Sequence, residues 1–254
     1  MSSAEQKITA PPLSAIAIKS IALPSVRYNL AAMAKIKALI FDFDGLILDT
    51  ETPDYEVWQL IYREHGFELP REEWGKIIGT SMAFFDAAEH LSLLSQGQLD
   101  SMSLRDRHRS ESHARTITQK TLPGVVEYLQ EAKQLGLKLA IASSSPHSWV
   151  DTHAKRLGIF DFFDKVVCSD EVGISRTKPH PDLFLLALEQ LHVRAHEAIV
   201  FEDSPNGVRA AQAAGIFVVA VPNSVTSQLS IENPNLTLSS LADLPLRELL
   251  NQVQ

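Results

Sequence analysis

Five short apolar runs, separated by helical patterns, constrain the fold of this chain more than any other feature. Each run ends in small or acidic residues, as in LKLAIASSS and AIVFEDS. Continuous apolar runs of this length are typical of strands that are buried on both faces of a sheet. We therefore predict strands within residues 36–44, 137–145, 164–171, 198–204 and 216–223.

Helical patterns lie between the later apolar runs. Proline begins three of them and glycine ends three, which is ordinary chemistry for helix boundaries. The predicted helices cover residues 123–136, 148–158, 181–192 and 205–215. Strands that alternate with helices predict an α/β domain with a parallel sheet and right-handed crossovers.

Residues 53–120 interrupt this alternation. Polar-rich helical segments follow one another there, without a comparable buried strand pattern. We therefore predict a core domain over residues 35–52 and 121–254, with a helical insertion over 53–120. Within the insertion, residues 105–115 carry charges of both signs at helical spacing. That segment predicts a solvated helix face rather than an anion site.

The first 34 residues differ from the rest of the chain. They are rich in serine and alanine, contain three prolines, and include one acidic residue, Glu5. One interpretation is a targeting segment of the basic, acid-poor kind. The interpretation that we favour is a disordered tail, or an extension upstream of a protein that begins at Met33.

Charge and cysteine content narrow the classes of function and location. The formal net charge of −8 disfavours binding to nucleic acid or to an anionic membrane surface. No apolar stretch has the length that a bilayer-spanning helix needs. The one cysteine, Cys168, cannot form a disulfide within the chain, which fits a reducing, cytoplasmic location. We expect a monomer, with the oligomeric state left open.

Carboxylates and hydroxyls collect where the predicted strands end, and a lysine lies in the loop before the helix that leads to the fourth strand. In an open parallel sheet, ligands bind beyond the carboxyl ends of the strands, so these residues are expected to share one edge. The set consists of Asp42 and Asp44, Ser143–Ser145, Lys178, and Glu202 and Asp203.

This set suits phosphoryl transfer with a magnesium ion. Carboxylates that lie close together repel one another, and a hard divalent cation relieves the repulsion. Hydroxyl groups, backbone N–H groups and lysine are natural ligands of phosphate. An aspartate can attack phosphorus to form an aspartyl-phosphate, while the metal and the lysine neutralise charge.

Four motifs occur in order: FDFDG, a strand that ends in serine, Lys-Pro, and EDS. Together they resemble the haloacid dehalogenase (HAD) superfamily over roughly the whole chain after Met33. The resemblance implies an α/β fold in which a Rossmann-like core carries an inserted helical cap domain. The EDS and KP pairs, with DTE after the first motif, look most like the subgroup of small sugar-phosphate phosphatases and beta-phosphoglucomutase.

The resemblance also implies a role for each matching residue. Asp42 would be the nucleophile and a metal ligand. Asp44 would be the general acid/base, with its backbone carbonyl on the metal. The remaining implied roles are phosphate binding by the Ser143 hydroxyl, the Ser144 backbone N–H and Lys178, and metal binding by Asp203 and, directly or through water, Glu202.

The expected function is that of a magnesium-dependent phosphatase of a small phosphorylated metabolite, such as a sugar phosphate. One alternative is a phosphohexomutase that uses the same aspartyl-phosphate. Asp54 and Met82 stand where the mutase pattern has histidine and arginine, so hydrolysis is favoured. The other alternative is a non-catalytic HAD-like binding protein, which would not need both Asp42 and Asp44.

Overall fold

A six-stranded parallel sheet forms the centre of the protein, whose computed structural model describes residues 36–78 and 85–253. The strands lie in the order β3-β2-β1-β4-β5-β6. Their bounds are β1 Ala38–Phe41, β2 Lys138–Ala142, β3 Lys165–Val167, β4 Ala198–Glu202, β5 Phe217–Ala220 and β6 Leu236–Thr237. This arrangement confirms the predicted α/β class with a Rossmann-like sheet.

Two details of the strand prediction were wrong. The apolar run 164–171 is a strand only over its first part, because Ser169–Val172 forms a short helix. The sixth strand, at the edge beside β5, was not predicted. It contains only two residues, which is too few for a pattern of strand periodicity.

The described residues contain ten α-helices. They are α1 Glu51–Glu64, α2 Arg71–Gly75, α3 Ala87–Leu94, α4 Ser101–Thr116, α5 Val125–Gln134, α6 His147–Arg156, α7 Ser169–Val172, α8 Asp182–Leu191, α9 Pro205–Ala213 and α10 Leu246–Val253. Short 3-10 turns occur at Phe160–Phe162, Ile174–Arg176, Ala195–Glu197, Thr226–Gln228 and Leu241–Asp243.

Alternate residues of each central strand face opposite layers of helices. In β1, Leu39 and Phe41 pack into a core with residues of α5, α6 and α10. Ala38 and Ile40 pack into a second core with residues of α8 and α9. Both faces of the strand are therefore buried, which explains why its sequence is continuously apolar.

The strand register brings the ends of the three central strands level with one another. Phe41, the last residue of β1, aligns with Ile141 of β2 and with Phe201 of β4. The Asp42 N–H then donates to the Phe201 carbonyl, at 3.0 Å. Residues that follow these strands therefore meet at one edge of the sheet.

The segment between β1 and β2 contains helices α1 to α4, and it has a hydrophobic cluster of its own. This cluster includes Tyr55, Trp58, Tyr62, Trp74 and Leu91. The insertion is helical throughout its described part, as expected, although α1 begins at Glu51. The exact boundaries between core and cap stay a prediction.

The N-terminal prediction, for residues 1–34, lies outside the described residues. Across residues 36–78 and 85–253, no helix combines the length and apolar character that crossing a membrane requires.

The core beneath Asp42 depends on Phe41. Its ring stacks on Phe201, with the ring centroids 4.9 Å apart, and meets the edge of Phe163. Phe41→Ala should lower the free energy of unfolding by about 3–5 kcal/mol, because it removes buried contacts and leaves a cavity. Urea denaturation measures this loss. The matched control is Leu93→Ala, on a cap residue that is 75% exposed, which should change stability by less than about 0.5 kcal/mol.

Candidate active site

Three carboxylates meet at the edge of the sheet where β1 and β4 end. Asp42 follows β1, Glu202 is the last residue of β4, and Asp203 comes next. All three are buried, and each offers an oxygen within 4.8 Å of the others. Such a group of hard oxygen ligands can hold a divalent metal ion.

Lys178 lies inside this carboxylate group. Its ammonium contacts the Asp42 Oδ1 atom and lies 2.7 Å from the Glu202 Oε1 atom. The side chain is only 1% exposed, so these charges interact with little screening by water. Burial alone would lower the pKa of Lys178, but Asp42 and Glu202 raise it above its ordinary value. The lysine therefore stays charged between its two partners.

One lysine does not balance the negative charge of the cluster. Burial raises the pKa of Asp42 to about 8 against the opposing effect of Lys178, with smaller contributions from Glu202 and Asp44. Burial and then Glu202 also raise the pKa of Asp203 well above its ordinary range. The Asp203 Oδ1 atom is buried without a hydrogen-bond partner in the described structure. An unsatisfied carboxylate oxygen among buried acids fits a site for a bound cation.

Hydrogen bonds within the β4–α9 turn orient Glu202. Its Oε2 atom accepts hydrogen bonds from the backbone N–H and the hydroxyl of Ser204, both at 3.1 Å. The Ser204 hydroxyl in turn caps α9 by accepting from the Gly207 N–H. A Cβ atom on Gly207 would lie 1.8 Å from the Glu202 carboxyl group. Glycine at this position therefore makes room for the carboxylate.

Asn223 orients Asp203 from the end of β5. Its Nδ2 atom donates to the Asp203 Oδ2 atom at 2.8 Å and to the Gly45 carbonyl at 3.1 Å. We did not predict this residue. Asn223 closes the fifth apolar run in the sequence. The expectation that ligands bind beyond the ends of parallel strands could therefore also have identified this residue.

The second aspartate, Asp44, contacts the serine-rich end of β2. Its Oδ2 atom accepts hydrogen bonds from Ser145 at 2.6 Å and from Ser143 at 3.3 Å. Its Oδ1 atom accepts from the indole N–H of Trp149 at 2.8 Å. Ser144 lies between the two serines and is buried. The predicted site residues thus lie together, but Trp149 was not predicted.

A groove of about 840 Å³ lies between the cap and Trp149, the core residue whose indole N–H contacts Asp44. Cap helices α1 and α4 form most of its wall, and Trp149 of α6 contributes from the core side. Its lining residues are Asp54, Trp58, Arg105, Asp106, His108, Arg109, Ser110, Ser112, His113 and Trp149.

Residues 105–115 are largely exposed or half-buried, as the prediction of a solvated helix face requires, but two of them are not. His108 and Ser112 are buried, because this side of α4 packs against α1. The His108 ring stacks on Trp58 with centroids 4.3 Å apart, and its Nε2 atom lies 3.2 Å from the Asp54 carboxylate. Burial raises the pKa of Asp54, and His108 opposes that rise.

Comparison with known proteins agrees with this geometry. Residues 39–221 match the model of the family described as haloacid dehalogenase-like hydrolase. The chain belongs to this family.

Named relatives include two bacterial phosphatases. "Putative phosphatase YhcW" of Bacillus subtilis (strain 168) is 46% identical over 218 residues, which are 86% of this chain and 98% of the relative. "Phosphorylated carbohydrates phosphatase" of Thermotoga maritima is 33% identical over 71% of this chain and 82% of the relative. The predicted family and the predicted class, a hydrolase of phosphate monoesters, are confirmed.

Among solved structures, beta-phosphoglucomutase from Clostridium difficile has a TM-score of 0.63. The match covers 86% of this chain and 97% of that one, at 24% identity. At this identity the likeness shows the fold and does not decide between mutase and phosphatase.

Gly45 allows the close approach of Asp203 and Asn223. A Cβ atom on Gly45 would lie 2.3 Å from the Asp203 Oδ2 atom and 2.7 Å from the Asn223 Nδ2 atom. Gly45→Ala should therefore displace Asp203 and weaken the binding of a divalent cation by about tenfold, or about 1.4 kcal/mol. Isothermal titration calorimetry with Mg²⁺ measures this change.

Gly158→Ala is the matched control for Gly45→Ala. Gly158 has a φ of +70°, close to the +79° of Gly45, but no atom lies within 4 Å of its added Cβ. Both variants place a Cβ atom on a backbone with positive φ, which costs about 1–2 kcal/mol in each. Equal Mg²⁺ affinities in the two variants would contradict a role for Asp203 in binding a cation.

Proposed function

We propose that this protein is a magnesium-dependent phosphatase that hydrolyses a small phosphorylated metabolite through an aspartyl-phosphate at Asp42. The observation that carries the proposal is the buried group of Asp42, Glu202 and Asp203 around Lys178, with Asp44 beside it. One edge of the sheet then holds a nucleophile, a cation site, phosphate-binding groups and a proton donor.

Mg²⁺ would bind to the carboxylates of Asp42 and Asp203, to Glu202 directly or through water, and to the Asp44 backbone carbonyl. When bound, it supplies positive charge that reduces the repulsion between the nucleophile and the phosphate. The unpartnered Oδ1 atom of Asp203 supports this assignment.

The chain's own residues would perform two displacements at phosphorus. In the first, an Asp42 oxygen forms a bond to phosphorus while the bond to the ester oxygen breaks, and Asp44 donates its proton to the leaving alcohol. In the second, Asp44 takes a proton from water as that water attacks phosphorus, and Asp42 is released. Lys178, the Ser143 hydroxyl and the Ser144 backbone N–H would hold the phosphate oxygens.

The groove that Trp149 lines would hold the leaving alcohol. Its carboxylate, hydroxyl and imidazole groups can exchange hydrogen bonds with substrate hydroxyls, and its indole rings offer flat apolar surface. These groups suit a sugar phosphate. The printed name of the Thermotoga relative, which refers to phosphorylated carbohydrates, supports the same class.

A mutase remains the runner-up. Asp54, which replaces the histidine of the mutase pattern, points its carboxylate at His108 in the groove. Met82, which replaces the arginine, lies outside the described residues.

A reducing, cytoplasmic location fits the buried free thiol of Cys168. We propose a monomer that binds neither nucleic acid nor membrane.

Asp42→Asn should reduce phosphate release by more than about a thousandfold, because the amide is a poor nucleophile. Phosphate release with Mg²⁺ and sugar phosphates measures the loss. Asp49→Asn is the matched control, since Asp49 accepts from the Thr52 N–H at 3.0 Å, a bond that asparagine retains. Full activity of Asp42→Asn, free of wild-type enzyme, would refute the mechanism.

Products distinguish the phosphatase from the mutase. The wild-type protein is incubated with beta-glucose 1-phosphate, its bisphosphate activator and a panel of sugar phosphates, with Mg²⁺ or with EDTA. We expect free phosphate in the Mg²⁺ samples alone. Glucose 6-phosphate without free phosphate would identify a mutase and contradict the proposal.

A further inference from the structure

The side chain of Trp149 connects Asp44 to the groove. Its indole N–H donates to the Asp44 Oδ1 atom at 2.8 Å, while the ring lines the core side of the groove. Across the groove, the ring of His113 on α4 lies with its centroid 6.2 Å from that of Trp149. Trp149 thus contacts Asp44, the predicted proton donor, and also lines the groove that we propose for the leaving alcohol.

The Asp44 carboxylate is held from both sides. Ser143 and Ser145 donate to its Oδ2 atom, whereas Trp149 donates to its Oδ1 atom. Donors on opposite oxygens fix the rotation of a carboxyl group better than donors on one oxygen. Loss of the indole N–H would leave only the serine side to orient Asp44.

Contacts away from Asp42, Glu202 and Asp203 hold α6 in place, and with it Trp149. The backbone N–H of His147, at the start of α6, donates to Asp170 at 2.8 Å. The His147 ring lies between Asp151, at 3.1 Å, and Glu171, at 2.6 Å. The indole also packs edge-on to His153, with centroids 4.2 Å apart. The first turn of α6 is therefore anchored, so the indole can direct Asp44.

We propose that Trp149 is a positioning residue for Asp44: its N–H aims the carboxyl group at the leaving oxygen, and its ring forms the groove wall. This inference rests on the proposed function. It extends the catalytic arrangement to α6, a helix that the sequence motifs do not include.

Trp149→Phe distinguishes the role of the indole N–H from that of the ring, because phenylalanine keeps an aromatic ring and lacks the N–H. An alkyl phosphate needs a proton on its leaving oxygen, whereas p-nitrophenyl phosphate releases a stable anion. We expect kcat/KM to fall by about tenfold or more for a hexose 6-phosphate, as general acid catalysis weakens. For p-nitrophenyl phosphate it should change by less than about twofold. An equal fall for both substrates would overturn the proposal.

Trp74→Phe is the matched control. The Trp74 indole is buried in the cap core, and its Nε1 atom has no hydrogen-bond partner in the described structure. This substitution makes the same chemical change away from Asp44, so the ratio of the two kcat/KM values should stay at its wild-type value. A change in that ratio equal to that of Trp149→Phe would also overturn the proposal.

A measurement without turnover tests the contact itself. The protein has three tryptophans, and Trp149→Phe identifies the Trp149 indole signal in a ¹⁵N–¹H NMR spectrum by its loss. Asp44→Asn should shift this signal and leave those of Trp58 and Trp74 in place. An unmoved Trp149 signal would show that the contact is absent and would refute the positioning role. If that signal shifts but the wild-type protein releases no phosphate, the failure lies in the proposed function, and the catalytic role falls with it.

Discussion

Repulsion among buried carboxylates is the constraint on which the rest of this structure depends. Asp42, Glu202 and Asp203 share a space so small that their oxygens lie within 4.8 Å of one another. Several carboxylates in a buried site cannot all ionise without compensating positive charge. Lys178 supplies one charge from within the group, and a divalent cation would supply the remainder. The same concentration of charge that is costly on its own becomes, with a cation, the means of attracting and activating a phosphate.

The sheet makes this concentration possible. Because β1 lies between β2 and β4 in level register, the residues that follow all three strands converge. Neighbouring residues then fix individual side chains: Ser204 orients Glu202, and Asn223 orients Asp203. The apolar layers on both faces hold the strands, so the charged groups occupy the edge without disrupting the core. The site is thus a consequence of strand order and of chemistry at strand ends.

Much of this arrangement could be predicted from the sequence. Continuous apolar runs identified five of the strands, and the expectation that ligands bind where parallel strands end brought Asp42, Asp44 and Asp203 together. Lys178 was identified in the loop before the helix that leads to β4. Periodicity could not identify the two-residue β6. It also could not place Trp149, because the orientation of a helical side chain towards Asp44 depends on how α6 packs. The buried side of α4 was missed for a related reason: its polar residues resemble a solvated face until α1 covers them.

The central claim is that Asp42 carries the phosphoryl group during turnover. The most direct measurement is an acid quench of the wild-type protein during turnover of a sugar phosphate with Mg²⁺, followed by borohydride reduction and peptide mass spectrometry. Borohydride reduces an acyl phosphate to an alcohol, so an aspartyl-phosphate becomes homoserine. The account predicts homoserine at position 42, dependent on both substrate and Mg²⁺. Rapid turnover with aspartate unchanged at position 42, and homoserine at another aspartate, would contradict it.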